Sequence, residues 1–392
     1  MRLSNSARIT ALAVAGAIVG MTWAVTAQQS ADPFKSLSFR ELGPTKQGGR
    51  FVDFAVVESN PRVFYAASAT GGVYKTESAG VAFTQVFDNG GTASVGAVAV
   101  SQTNPDVVYI GTGESNNSRT MYYGDGVYKS TDAGKTWTNV GLKDSQHIAR
   151  IIVHPTDPNT VYVAAAGHLY SDNEERGLYK TTDGGKTWTK SLDLKTAAGK
   201  AVGVNDVAMD PKNPLVLYAG AYEKTRRPYS FGPGGPSSGL YKTMDGGKTW
   251  TKLGGGLPTG TVGRIGIAIS RQDSNTVYAI VEVVKGDTDD EKKKLTEGFG
   301  NTVNDPTFRS DDAGRTWRQV APAPAPAAGA AAPAGQPAGR GAAPAGGGGR
   351  GGGYPANDTP YYYSNIRVDP NDKNHIFVLN TGAAHSFDSG AT

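Results

Sequence analysis

Apolar and polar residues along this chain fall into short bursts, and the breaks between bursts recur with one grammar. Residues 147 to 192 show a full period. "ARIIVH" reads as a strand and "PTDPN" as a turn. "TVYVAAAG" is a second strand, "GLYKTT" a third beyond a polar loop, and "KTWTKSL" a fourth after "DGG". Each run is β-branched or aromatic and each break carries Gly, Pro, Asn or Asp, so the pattern predicts four strands joined by turns. The first turn returns in "ESNPRVFYAAS", "SQTNPDVVYIGTG", "DPKNPLVLYAGA", "SRQDSNTVYAIV" and "DPNDKNHIFVLN".

The hairpin between strands three and four is spelled almost identically as "GVYKSTDAGKTW" (126–137), "GLYKTTDGGKTW" (177–188) and "GLYKTMDGGKTW" (239–250), and again around Asp312. A degenerate copy at 76–83 has Ser78 in the Asp place and Phe83 in the Trp place, and a sixth copy begins at Ser386. Four-stranded units repeated in this way predict an all-β β-propeller with about six blades. Within each hairpin, Asp132, Asp183, Asp245 and Asp312 can accept hydrogen bonds from their own turns. Gly134, Gly185, Gly247 and Gly314 permit a positive φ. Trp137, Trp188, Trp250 and Trp317 offer large rings to bury against a neighbouring blade. A catalytic residue need not occur once per repeat, so these positions read as structural.

The blades set the domain organisation. Residues 1–27 read as a signal peptide: Arg2 and Arg8 precede "ITALAVAGAIVGMTWAV", and "VTA" offers a small-residue cleavage site. Blades one to five occupy 28–320, a Pro/Ala/Gly-rich disordered loop 321–353, and an incomplete sixth blade 354–392. "SLSFRELGP" (36–44) looks like an orphan strand that would complete the last blade, and the ring is expected to close with chain beyond Thr392. The mature protein is expected to be exported (periplasmic, outer-surface or secreted, in a bacterium), with no transmembrane segment. There is no cysteine, so stability comes from burial and strand pairing rather than disulfides.

Composition adds exclusions. Hydrophobic residues make up 38% and charged residues 19%, a globular balance, and the net charge of +4 over 392 residues argues against a nucleic-acid binder. Five histidines make no ligand spacing, so no metal is expected. "GGGGRGGG" lacks the Lys-Ser/Thr of a phosphate loop, and no cofactor is expected.

The hairpin pattern S/T-x-D-x-G-x-x-W resembles the Asp-box, the bacterial neuraminidase repeat. With "GGRFVDFAV", "ASVGAVAV", "YIGTGESNN" and "GLKDSQHIARIIVHP", the chain is similar to exported bacterial propellers of the sortilin N-terminal-like, YVTN-like family. These proteins are often loosely called glycosyl hydrolases, and their relatives include xyloglucanases. The resemblance covers roughly residues 37–320 and 361–392. It implies the propeller; receptors, chaperones and enzymes share that fold.

Candidate chemistry concentrates on the face opposite the hairpins. The polar loops 113–125, 167–177, 222–239 and 284–306 fall there, and converging polar side chains at a channel mouth make a binding site. Binding candidates are Asn116, Arg119, His147, Arg150, His168, Arg176, Arg226, Arg227 and Arg264, with Asn205 near the channel. A glycosidase needs two facing carboxylates, and Glu114, Asp125, Glu174 and Glu175 are the candidates, followed by Asp206 and Glu223. The position that matches the early catalytic Asp of xyloglucanases is Ala69, and the Arg-Ile-Pro signature of sialidases is missing. The sequence therefore favours a module that binds a protein, peptide or polysaccharide without catalysis. A glycoside hydrolase, xyloglucanase- or sialidase-like, is the alternative.

Overall fold

The computed structural model describes residues 49–88, 90–284, 306–320, 362, 364–379 and 383–390. The signal peptide, the strand expected at 36–44 and the loop 321–353 lie outside the described residues. Lys46–Thr392 forms one compact unit.

Six antiparallel sheets follow one another along the chain, five of four strands and a last one of three. The architecture is an all-β, six-bladed propeller. The third blade runs Ile148–Val153, Val161–Ala165, Gly177–Thr181 and Thr189–Leu192, close to the bounds read from its sequence. Second strands such as Val161–Ala165 are buried throughout, because both faces are covered by neighbouring blades, and they read as continuous apolar runs. The fourth blade carries an extra hairpin, Thr225–Arg227 with Ser230–Gly232, between its second and third strands.

First strands of successive blades lie against one another, from Phe51–Val56 through to Asn365–Asp369. Each of the first five is bulged near one end: at Phe51/Asp53, Val95/Ala97, Ile148/Arg150, Val204/Asp206 and Val262/Ile265. Bulges re-aim side chains, and here they place charged residues at the centre of the ring.

The repeated hairpins fasten both their own turns and the blades. Asp183 Oδ1 accepts the Thr187 amide at 2.9 Å and its Oδ2 the Thr187 hydroxyl at 2.6 Å, while Thr181 Oγ1 accepts the Gly185 amide. Gly185 sits at φ +94°, and a Cβ there would come within 2.8 Å of Val140. Trp188 Nε1 donates to Val140 O of the preceding blade at 2.7 Å, as Trp137 does to Val86 O. Tyr162 in turn donates to Gly246 O of the following blade at 2.9 Å. In the degenerate first copy Ser78 Oγ accepts the Ala82 amide, replacing one of the aspartate's bonds, and Phe83 stays largely exposed.

Hydrogen bonds from Thr side chains, then from backbone amides, hold Asp132, Asp183, Asp245 and Asp312 well below the ordinary carboxylate range, Asp132 at about 2. A carboxyl with a lowered folded-state pKa stabilises the fold above its unfolded pKa, and that contribution is lost as pH falls through the folded value. Asp183→Ala is therefore expected to lower the melting temperature at pH 7 and to shrink the acid-side loss of stability below about pH 4. Thermal melts across pH 2–7 check this; an unchanged curve would contradict the fastening role.

Candidate functional site on the loop-rich face

The loops opposite the hairpins are tied to one another by specific bonds. Arg227 Nη1 donates to Tyr170 O at 2.7 Å, and the Tyr170 hydroxyl donates to Arg119 O at 2.8 Å. Asn117 Nδ2 donates to the Tyr222 hydroxyl at 3.3 Å, and Arg264 Nη1 to Ser115 O at 3.3 Å. Blades two, three, four and five thus contribute to one surface.

Glu114, in the loop that follows the second strand of blade two, is 1% exposed. Arg50, Asn116 and the Tyr362 hydroxyl all donate to its Oε1. Arg50 Nε does so at 2.9 Å and its Nη2 completes the ion pair. Donors from three residues on one oxygen fix the carboxylate's orientation. Its Oε2 is buried without a hydrogen-bond partner. A second buried carboxylate, Glu282, accepts the Arg264 amide on Oε2 at 2.8 Å.

The remaining carboxylates read from sequence are placed differently. Asp125 accepts the Tyr128 hydroxyl at 2.6 Å and braces its own loop. Glu174 is exposed and paired with Lys195 at 2.7 Å. Glu175 is half-buried, with Oε2 lacking a partner. Glu223 accepts the Ser237 amide. Asp206, expected among the carboxylate candidates, is committed to Arg150.

That pairing also takes Arg150 out of the binding set. Arg150 Nη1 meets Asp53 Oδ1 at 2.9 Å and its Nε meets Asp206 Oδ1 at 3.0 Å. The other carboxylate oxygens accept the Val98 and Ile267 amides of the next blades' first strands. Burial alone would lower the guanidinium's pKa, but the two carboxylates outweigh it and raise it above its ordinary value. Asn205 likewise pins Ile265 O at 2.8 Å. His168 is held between Asp144 (2.9 Å) and Ser171 (2.8 Å). These are inter-strand and loop fasteners; the partners of Arg150 and Asn205 come from other blades, where a sequence reading could not see them. Ala69, read from the sequence as matching the early catalytic Asp of xyloglucanases, is fully buried and carries no acid.

Arg176, Lys224, Arg226 and Arg264 are each buried to 5% exposure or less. Arg176 donates to Asn173 Oδ1 and to the carbonyls of His168 and Ser171; Arg226 lies over the Phe231 ring at 4.7 Å. Lys224 was not singled out by sequence reasoning, although it stands in the cationic stretch "YEKTRRPYS". Glu282 was missed too; its signal is one acid inside the apolar strand "VYAIVEV".

His147 is 1% exposed and its Nδ1 has no partner. Burial, then the Lys224 charge, push its pKa down to about 3. The unfolded chain, titrating near 6.5, binds a proton that the fold excludes, so stability falls as pH drops from about 6.5 toward 3. His147→Gln is expected to flatten the upper part of that decline, between about pH 6.5 and 4, where the hairpin aspartates do not titrate. Denaturant melts at half-unit pH steps check it; an unchanged slope would contradict a buried neutral imidazole.

Comparison with known proteins gives one family match, two curated relatives and two solved structures. A family model described as Sortilin-Vps10 (sortilin, neurotensin receptor 3) matches residues 125–301. A xyloglucanase of Paenibacillus sp is 27% identical over 281 residues, 66% of this chain and 26% of that protein. A probable oligoxyloglucan-reducing end-specific xyloglucanase of Neosartorya fischeri is 30% identical over 170 residues, 41% of this chain and 17% of its own length. The chain thus spans about a quarter or less of the curated relatives it matches. The GH74 enzyme of Niastella koreensis shares the fold, with a TM-score of 0.56 at 18% identity over 87% of this chain and 46% of its own. An ancestral GH74 enzyme gives 0.55 at 19% identity, over 88% of this chain and 36% of that one.

These relatives overturn one expectation. The chain was expected to be a binding module without catalysis, yet the curated relatives are named as enzymes that cut a polysaccharide. Among the described residues no helix is long and apolar enough to cross a membrane, which says nothing about β-barrels, and no cluster has the make-up of a metal site.

Proposed function

We propose that this chain is part of an exported glycoside hydrolase, acting through the loop-rich face of the propeller. The similarity to xyloglucanases over 281 residues carries the reading. Export rests on the basic and apolar pattern of residues 1–27, and the aspartate hairpins are the Asp-box repeats of such propellers.

Glycoside hydrolysis needs two carboxylates that flank the scissile bond. With Ala69 carrying no acid, we assign that role to Glu114 and Glu282, two buried carboxylates tied to this face. Glu114 has one oxygen clamped by three residues and its Oε2 buried without a partner, so it acts only once the covering loops part to admit the sugar. Glu282 is the second carboxylate, linked to the Glu114 loop through Arg264 and Ser115 O. Buried carboxylates suit this work, because removing water strengthens their action on a developing oxocarbenium charge.

Release of new reducing ends from a panel of neutral and acidic polysaccharides tests the reading. Turnover on at least one polysaccharide is the expected outcome. No turnover on any of them, with the protein folded, would overturn it.

A further inference from the structure

Glu114 Oε2, Asn117 Oδ1, His147 Nδ1 and Lys224 Nζ are each buried and make no hydrogen bond, and all four residues are 5% exposed or less. They belong to the loop ends of blades two, three and four. Glu114 and Asn117 follow the strand Val108–Thr112, His147 precedes Ile148–Val153, and Lys224 follows Leu217–Tyr222. Contacts hold them together. Asn117 Nδ2 donates at 3.3 Å to the hydroxyl of Tyr222, two residues before Lys224. The Glu114 amide is used by Ser94 Oγ at 3.1 Å, so the bond between the His147 ring and the Glu114 backbone runs from Nε2–H to the carbonyl. A neutral imidazole that donates through Nε2 has Nδ1 as a bare acceptor. The Lys224 charge bears on the same ring.

Buried polar atoms without partners are costly, and a ligand that pairs them offsets that cost. Asn117 Oδ1 and His147 Nδ1 accept, while Lys224 donates. Burial, foremost, presses the Lys224 pKa well below its ordinary value, so the amine suits an uncharged partner better than a carboxylate. An extended peptide offers one amide N–H for every ~3.4 Å of chain. A pyranose ring carries hydroxyls on neighbouring carbons, and each can both donate and accept. The rim fits a sugar as well. Tyr122 and Tyr123 are 64% and 69% exposed, with their carbonyls held by Ser94 Oγ at 3.0 Å and Thr92 Oγ1 at 3.2 Å. Tyr229, 78% exposed, stands at the turn of the extra hairpin of blade four. Flat aromatic faces pack on the C–H face of a pyranose.

We infer that Asn117, His147 and Lys224 form a subsite beside Glu114 for one uncharged pyranose ring of a glycan. Two sugar hydroxyls donate to Asn117 Oδ1 and His147 Nδ1, Lys224 donates to a sugar oxygen, and Glu114 Oε2 is left for the reacting bond. The subsite rests on the glycoside hydrolase reading for the choice of a sugar.

Calorimetric titration with a xyloglucan heptasaccharide and with trigalacturonate tests it. The heptasaccharide is expected to bind the unaltered protein at least about tenfold more tightly than the acidic sugar. Lys224→Met should weaken heptasaccharide binding about tenfold, the loss of one hydrogen bond. It should also raise the melting temperature of the unliganded protein, since it removes an unpaired buried amine. Equal or tighter binding of trigalacturonate would overturn the inference. So would a Lys224→Met variant that binds the heptasaccharide as well as its parent, because the amine would then meet only enclosed water. A lower melting temperature for that variant would show a structural lysine and overturn it too. Cleavage of any polysaccharide without heptasaccharide binding would sink the subsite and leave the hydrolase reading standing. Heptasaccharide binding that Lys224→Met weakens, with no polysaccharide cleaved, would do the reverse.

Discussion

Arg150→Met is expected to destabilise the propeller by about 3–5 kcal/mol, the usual cost of breaking a buried ion pair by removing one partner. The substitution leaves Asp53 and Asp206, both less than a tenth exposed, without their counter-charge at the ring centre. Those carboxylates still accept the Val98 and Ile267 amides, so the loss is in charge rather than in hydrogen bonding to the next blades. Arg367 stands close by, its pKa pressed down to about 10, chiefly by the Arg150 charge and then by burial. With Arg150 gone that repulsion is relieved, and Arg367 makes up part of the loss. Adding Asp53→Asn and Asp206→Asn to Arg150→Met should recover much of the stability, because Asn oxygens still accept the amides and the two unpaired carboxylate charges are gone, leaving Arg367 as the remaining charge. Urea unfolding of the single and triple variants measures both effects. A triple variant no more stable than the single one would show that packing, not charge balance, governs the centre.

Glu114→Gln is expected to reduce turnover by about 10²–10⁴-fold, the range for loss of a positioned acid or base. Gln keeps an oxygen to accept from Arg50 and Asn116, so the melting temperature should stay near that of the unaltered protein. Arg50→Met should reduce turnover less, since Asn116 and Tyr362 continue to hold Oε1. The order of the two effects separates a reacting carboxylate from a loop brace. A brace would lose stability and activity together.

The propeller was legible because its signals are local. A Pro/Asn turn, an aromatic strand and an aspartate hairpin each declare themselves within a dozen residues, and the repeats confirm one another. The site was legible only in part. Glu114, Arg176 and Arg226 stood out as charged residues in polar loops of the face opposite the hairpins, and Arg264 as a residue near the channel. Arg150 also stood out, but its partners Asp53 and Asp206 come from blades one and four, and only the folded geometry shows that its donors are used. Arg50 and Glu114 are 64 residues apart in sequence, so the clamp on Oε1 has no local signature. Glu282 and Lys224 were visible as a lone acid in an apolar strand and as one of several cations in a loop. What singles them out is burial, a property of neighbouring blades rather than of the residues beside them.

Hydrolysis in water enriched in ¹⁸O, followed by mass spectrometry of the oligosaccharides released, tests most directly whether this face cuts a glycan. Each cleavage should place one ¹⁸O in a newly formed product, at a rate that collapses in Glu114→Gln while the fold persists. Labelled products formed equally fast by Glu114→Gln, or no labelled products at all, would contradict hydrolysis centred on Glu114.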